Sequence, residues 1–271
     1  MRAALVVASV LAFAAFASVG AAGDGGPSPG WLWGGTGIAA PNGKVHYVAV
    51  TGRNQTVFET IDGHGSVLTF SSLPGFYGIP FVSADGQVGG LTRDGRRLVV
   101  ASYPGVDNVT RFAVLKTGTL AVARRIRLSG TWSYDALSPD GRTLYLIQYL
   151  LGQSSIRYLV RAYDLVHGRL YRTVVTDRTE RGPMSGSAVT RATSADGAWA
   201  YTLYVKSDGT MFVHALDTAH RKAHCVDLPW RHATAWAYRV HLRIDGARVV
   251  LRESGASRTA AIDTRSWRVT T

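Results

Sequence analysis

The sequence predicts an all-β fold made from one four-stranded antiparallel unit used several times over. The first observation behind this is a recurring turn dipeptide, at Asn42-Gly43, Asp94-Gly95, Asp140-Gly141, Asp196-Gly197 and Asp245-Gly246. The second is a short run of β-branched and aromatic residues soon after each pair. Asp-Gly and Asn-Gly suit a tight hairpin whose central residues take positive φ, and apolar runs this short read as strands rather than helices. The third is a further run about twenty residues beyond each pair, which in four of the five repeats ends in Asp, a residue that starts turns.

Behind Met1-Arg2 lies an uncharged stretch, Ala3 to Ala22, closing on Ser18, Gly20, Ala21 and Ala22. It has the make-up of a secretory signal over residues 1–22, with an uncleaved membrane anchor as the alternative, since about 20 apolar residues can span a bilayer. Residues 23–30 form a linker and 31–271 the folded domain. After the turn pairs come Val45–Val50, Leu98–Tyr103, Leu144–Tyr149, Trp199–Tyr204 and Val249–Leu251. These strands are apolar on both faces and belong in sheets covered on both sides. The later runs are Phe58–Asp62, Phe112–Leu115, Val160–Asp164, Val213–Asp217 and Ala260–Asp263. A fourth strand comes after each turn, as in Leu170–Val175.

One such meander cannot bury both of its faces, whereas several stacked radially can, which is the logic of a β-propeller. Five blades are expected, over residues 31–75, 76–130, 131–186, 187–236 and 237–271. The additional Asp85-Gly86 pair keeps six or seven open. A β-sandwich is the rival architecture, but it leaves the regular spacing unexplained. Ser138-Pro139-Asp140-Gly141-Arg142-Thr143-Leu144-Tyr145-Leu146 resembles the YVTN and WD-like propeller repeat, with looser copies at Thr92–Leu98 and Ser194–Trp199. The segment from Tyr134 to Pro229 is also similar to uncharacterised exported propellers of actinobacteria. The resemblance implies a fold rather than an activity.

Composition bounds the function. The 271 residues carry a formal net charge of +12, almost wholly from Arg, because Lys44, Lys116, Lys206 and Lys222 are the only lysines. The charge is dispersed between strands, so it reads as a field attracting polyanions or as a solvated surface. For an exported chain the polyanions are those of the cell envelope; no specific nucleic-acid partner is expected, and a membrane is met only through an uncleaved N-terminal segment or surface charge. A monomer is expected. Cys225 is the only cysteine, which excludes an intrachain disulfide and leaves burial to hold the domain.

Motifs that commit a chain to a reaction are absent. There is no Gly-x-Ser-x-Gly elbow and no His-Glu-x-x-His. Gly37 to Lys44 has the wrong spacing for a phosphate loop and reads as a hairpin. Glu occurs only at positions 59, 180 and 253. No catalytic residue is nominated and no cofactor is expected. Ligand-binding candidates are Arg178 and Glu180, on the longest polar connector, and Trp230, Arg231 and Trp236, where rings beside cations could stack on a planar ligand. A metal site is not expected, although His220, His224 and His232 form a weak cluster of imidazoles near Cys225. The preferred reading is a non-enzymatic binding or scaffolding module at the cell envelope. The alternatives are a propeller enzyme of lactonase or quinoprotein type with its site at the central channel, and a structural surface protein.

Overall fold

The computed structural model describes residues 31–271 apart from 33, 35–36, 103, 105–106, 151–155, 181, 232–233 and 256–258. The signal or anchor over 1–22 and the linker over 23–30 lie outside the described residues, and among the described residues no helix is long and apolar enough to cross a membrane. The chain is a β-propeller of five blades. Blade 1 consists of Ile38–Ala39, Val45–Thr51, Gln55–Asp62 and Val67–Pro74. Blade 3 consists of Trp132–Leu137, Thr143–Leu150, Arg157–Asp164 and Arg169–Val175. Blade 4 runs through Ser187–Thr193, Trp199–Val205, Thr210–Asp217 and Lys222–Arg231, and blade 5 through Val240–Asp245, Arg248–Glu253, Thr259–Asp263 and Val269–Thr270. In each the strands pair antiparallel in chain order.

Blade 2 departs from the pattern. It has three regular strands, Arg97–Ser102, Val109–Lys116 and Val122–Ser129. Its innermost position is held only by the isolated pairings Leu91↔Leu98 and Gly78↔Ala101. Gly78, Pro80, Gly86, Gly89 and Gly90 crowd this stretch, and glycine and proline interrupt a ladder where other residues would extend it. The strand Trp31–Leu32 pairs with Ile79–Pro80 of this connector rather than with blade 1. The extra Asp85-Gly86 pair forms a small hairpin closed by Phe81↔Val88, not a further blade.

The turn chemistry explains why each blade starts where it does. Gly43, Gly95, Gly141, Gly197 and Gly246 all take φ between 57° and 73°, the left-handed region that a residue without Cβ enters at little cost. The preceding Asp caps the turn from the other side: Asp94, Asp140 and Asp196 each accept the backbone N–H two residues on at 3.0 Å. A hydroxyl two residues before the Asp completes the device. Ser138 Oγ donates to Asp140 at 2.6 Å and accepts the Thr143 N–H at 2.9 Å, and Thr92 and Ser194 repeat the arrangement.

The turn between the third and fourth strands is built on the other Asp. Asp62, Asp164, Asp217 and Asp263 each accept two backbone N–H groups of their own turn. Both turns of a blade lie on one face of the disc, where Leu165 N–H donates to Arg142 O and Thr218 N–H to Ala198 O. We call this the hairpin face.

Core clusters join consecutive blades. Tyr47, Ala49, Phe58, Leu98, Val100, Ala113 and Leu115 unite blades 1 and 2, while Val99, Phe112, Val114, Tyr134, Leu144 and Leu146 unite blades 2 and 3. Blades 3 and 4 share two clusters, and Leu203, Val213, Val226, Val240, Val249, Leu251 and Ile262 bind blade 4 to blade 5. Among the described residues no core cluster joins blade 5 back to blade 1.

Candidate functional site

The inner strands of blades 3 and 4 and the connector of blade 2 surround a cavity of about 290 Å³ that opens beside the hairpins. Its wall includes Tyr134, Asp135 and Ser138 of blade 3, Arg191, Ser194 and Gly197 of blade 4, and Gln87, Gly89, Gly90 and Arg93 of the blade 2 connector. The small hairpin closes it from below. Ala84 and Asp85 donate their N–H groups to the carbonyls of Ala188 and Val189 at 3.0 and 3.1 Å, so a piece of blade 2 crosses the axis and pairs with the inner strand of blade 4. Gln87 Nε2 reaches Arg191 O at 2.8 Å and Asp85 Oδ2 at 3.0 Å. The crossing needs small residues, because a Cβ on Gly89 would lie 2.5 Å from Tyr134 Cε1.

The one charged pair inside this wall is Asp135 with Arg191. Arg191 Nη2 donates to Asp135 Oδ1 and Nη1 to the Asp135 carbonyl, while Nε donates to Thr202 Oγ1 at 2.8 Å. Both residues are buried, at 1% and 6% exposure. Taking two ions out of water is expensive, and the mutual attraction recovers that cost only where the geometry is good and further hydrogen bonds are made. The arrangement continues outward as a rung of blade 4, with Arg191, Thr202, His214 and Cys225 opposite one another on successive strands. His214 is 1% exposed, and burial pushes its pKa down to about 4 against the opposing pull of Asp135. Asp135 Oδ2 and His214 Nε2 are both buried with no hydrogen-bond partner.

Most polar groups at the mouth of the cavity are committed to their own hairpins. The hydroxyls at its rim, Ser138 and Ser194, are bound into their hairpins by Asp140 and Asp196. Hydrogen bonds from Thr92 and from Ser194 hold the Asp94 and Asp196 carboxyls below the ordinary range, so both are anionic and directed into their own turns. Arg93, by contrast, is exposed at the mouth, where its Cδ would sit 3.7 Å from a Cβ on Gly197.

The residues nominated from sequence lie elsewhere. Arg178 and Glu180 are exposed on the connector from blade 3 to blade 4, on the face opposite the hairpins. That connector is anchored by its neighbour Asp177, a buried carboxylate that accepts the Thr179 N–H at 2.8 Å and the Cys225 N–H at 2.7 Å. Glu180, but not Arg178, lines a small cavity of about 80 Å³ with Met184, Lys206, Phe212 and Cys225. Trp230 and Trp236 meet edge to face at 5.6 Å and pack against the core between blades 4 and 5, each partly exposed. Arg231 ends the outer strand of blade 4, with its side chain outside the described residues, as is His232 altogether.

The two described imidazoles of the predicted set, His220 and His224, have separate partners. His220 caps its own turn through Nδ1 to Asp217 Oδ2 at 2.9 Å, whereas His224 stacks on Trp267 at 4.5 Å. Among the described residues no three His, Cys, Asp or Glu side chains come together as metal ligands. Sequence reasoning missed Asp135 and Arg191. The only trace was a charged residue within the inner strand in each of two blades, Asp135 in Trp132–Leu137 and Arg191 in Ser187–Thr193.

No family model matches the sequence, and no curated protein matches it. Among solved structures, TolB from Acinetobacter baumannii is 15% identical over 74% of this chain and 44% of its own, with a TM-score of 0.44. The Dos1 propeller is 10% identical over 83% of this chain and 59% of its own, with a TM-score of 0.47. The periplasmic gluconolactonase PpgL of Pseudomonas aeruginosa is 17% identical over 86% and 67%, with a TM-score of 0.45. The chain thus spans 44% and 59% of the first two. At these identities the likeness concerns the fold alone.

Proposed function

We propose that this chain is a non-enzymatic, extracytoplasmic and monomeric binding module of the YVTN-like kind, which engages an anionic polymer of the cell envelope, or a protein of similar charge, through its hairpin face. The observation that carries the reading is the division of labour on that face. Asp62, Asp94, Asp140, Asp164, Asp196, Asp217 and Asp263 accept hydrogen bonds from their own turns and Asp245 pairs with Arg243, while Lys44, Arg93, Arg142, Arg169 and Lys222 stand exposed, so a partner approaching the face meets cations first. Strands supply a rigid base, and the turns that contact the partner add little ordering cost on binding.

The test is co-sedimentation of the purified chain with isolated envelope fractions across a salt series, with charge reversals on either face. Saturable binding that Arg93→Glu with Arg142→Glu weakens severalfold, and that Arg53→Glu with Arg178→Glu on the opposite face leaves intact, upholds the reading. Binding absent at every salt concentration, or lost equally from either face, overturns it.

A lactonase-type enzyme is the second reading, favoured by the unpartnered Asp135 Oδ2 in the wall of the axial cavity. It requires turnover of a lactone that disappears in Asp135→Asn while the fold is retained.

A further inference from the structure

Blade 2 carries two pairs of like charges directly opposite each other across its strands, and it treats them differently. Arg111 pairs with Arg127 in the register, and Asp107 serves both: it bonds Arg111 Nη2 and lies 3.8 Å from Arg127 Nη2. Arg97 pairs with Lys116 on the other face of the same blade, and Arg124 lies on the next strand opposite Val114. Like charges directly opposite one another destabilise a sheet, so the first set has a carboxylate built in. Among the described residues the second has no ion pair.

These three cations line a groove of about 190 Å³ between blades 2 and 3, open on the hairpin face, whose remaining lining is Val114, Ala123 and Leu165. No carboxylate lines it. The acid nearest in sequence to that lining, Asp164, uses its oxygens on the N–H groups of Val166 and His167 and on His167 Nδ1. Both arginines are held in place from blade 3. Arg124 Nη2 donates to Val166 O at 3.3 Å and Arg97 Nη1 approaches Gly141 O at 3.5 Å, while Lys116 is exposed. Each guanidinium has further N–H donors to offer, and a planar fork of donors matches the oxygens of a phosphate. The groove has several times the roughly 30 Å³ that a water molecule occupies in the liquid.

We infer that the groove formed by Arg97, Lys116 and Arg124 is a binding site for a phosphate-type oxyanion, free or carried on a polymer, which neutralises this set of charges as Asp107 neutralises the other. The inference deepens the hairpin-face reading and supplies it with a ligand chemistry. The apolar floor of Val114 and Leu165 gives the site one low-dielectric wall, which strengthens the attraction relative to a fully solvated cluster.

The experiment is isothermal titration calorimetry of the purified chain at constant ionic strength, with inorganic pyrophosphate and, separately, with soluble polyphosphate. One saturable site for pyrophosphate is expected. Lys116→Ala should weaken it roughly tenfold or more, as loss of a hydrogen bond to a charged group does, and Arg265→Gln, which removes the same unit of charge from an exposed position in blade 5, should leave it unchanged. Thermal unfolding supplies a second readout. Without anion, Lys116→Ala should unfold at the same or a higher temperature than the parent, because a like-charge pair is relieved. With pyrophosphate the parent gains more stability than the variant.

Failure to saturate, many ions bound per chain, or equal weakening by Arg265→Gln overturns the site. Tighter binding of polyphosphate that depends on Lys116 identifies a polymer as the source, and preference for pyrophosphate identifies a free anion; either upholds the site. Pyrophosphate binding without envelope co-sedimentation upholds the site and overturns the envelope reading. Envelope binding by a chain that shows no Lys116-dependent pyrophosphate site does the reverse.

Discussion

Blade 4 meets a neighbour on each face, and the two interfaces are built on different principles. Toward blade 5 it presents Val189, Leu203, Val213, Ala215 and Val226 to Val240, Leu242, Val249, Leu251 and Ile262, with Trp199, Trp230, Trp236 and Trp267 packed around them. That contact is almost wholly apolar, so its strength scales with the area removed from water. Toward blade 3 the apolar contact is split in two. Ala200, Leu216 and Ala223 pack with Ala136, Tyr145 and Ala162 on one side, and Tyr204 and Phe212 pack with Ile147, Tyr149 and Tyr158 on the other. Between them runs the rung of Arg191, Thr202 and His214, with Asp135 facing it. The difference teaches that one interface rests on area removed from water alone, whereas the other also depends on a buried pair that is costly to break.

The largest expected effect breaks the polar side of this comparison. Asp135→Ala leaves the Arg191 guanidinium buried without its carboxylate and should cost about 3–5 kcal/mol, whereas Asp135→Leu combined with Arg191→Met should be close to neutral, since a well-packed apolar pair often replaces a buried ion pair without loss. Urea unfolding of Asp135→Leu, Arg191→Met and the double measures the coupling. If the singles cost no more than the double, the pair is not the organising element of this interface.

On the apolar side, Leu251 is fully buried, and Leu251→Ala should cost about 2–5 kcal/mol with no dependence on pH. A loss under about 1 kcal/mol would show that blade 5 contributes little to cooperative folding.

The His214 position sharpens the contrast through pH. Its folded pKa of about 4 lies below the ordinary 6.5, so between those values the unfolded chain binds the proton more readily. The stability associated with neutral His214 is therefore complete above pH 6.5, is lost progressively as pH falls toward 4, and amounts to about 3 kcal/mol. His214→Leu should remove this component of the acid sensitivity while changing stability at pH 7 by less than about 1.5 kcal/mol, because the buried Nε2 has no partner to lose. Unchanged acid sensitivity in the variant would count against the buried-imidazole account.

The smallest effect concerns Cys225, at the outer end of the rung. Burial pushes its thiol up to about 12, so alkylation at pH 8 should be slow in the folded protein and fast in denaturant. Rapid labelling of the folded chain would mean that the outer edge of the blade 3 interface opens readily.

Much of the fold was legible because it rests on local chemistry. The hairpin needs Asp-Gly, and a hydroxyl two residues earlier strengthens it; Ser138, Asp140 and Gly141 can be read as a unit without knowing any distant partner. The alternation of Ala200, Thr202 and Tyr204, and of Phe212, His214 and Leu216, likewise shows a polar step inside an apolar strand. The missing inner strand of blade 2 had a trace in Gly86, Gly89 and Gly90, but the crossing of Ala84 and Asp85 to Ala188 and Val189 had none, since nothing in either segment names the other.

The same boundary separates what the sequence by itself determined from what the tertiary structure decided. Turn type, strand length, the order of strands within each blade and the net charge arise from residues within a few positions of one another, and these the sequence determined. The pairing of Asp135 with Arg191, the convergence of Arg97, Lys116 and Arg124 on a groove without a carboxylate, and the packing of the partly exposed Trp230 and Trp236 against a core all depend on how blades stack. Stacking brings together side chains tens of residues apart, and their energies come from burial and from charge at short range, neither of which exists until the sheets have met.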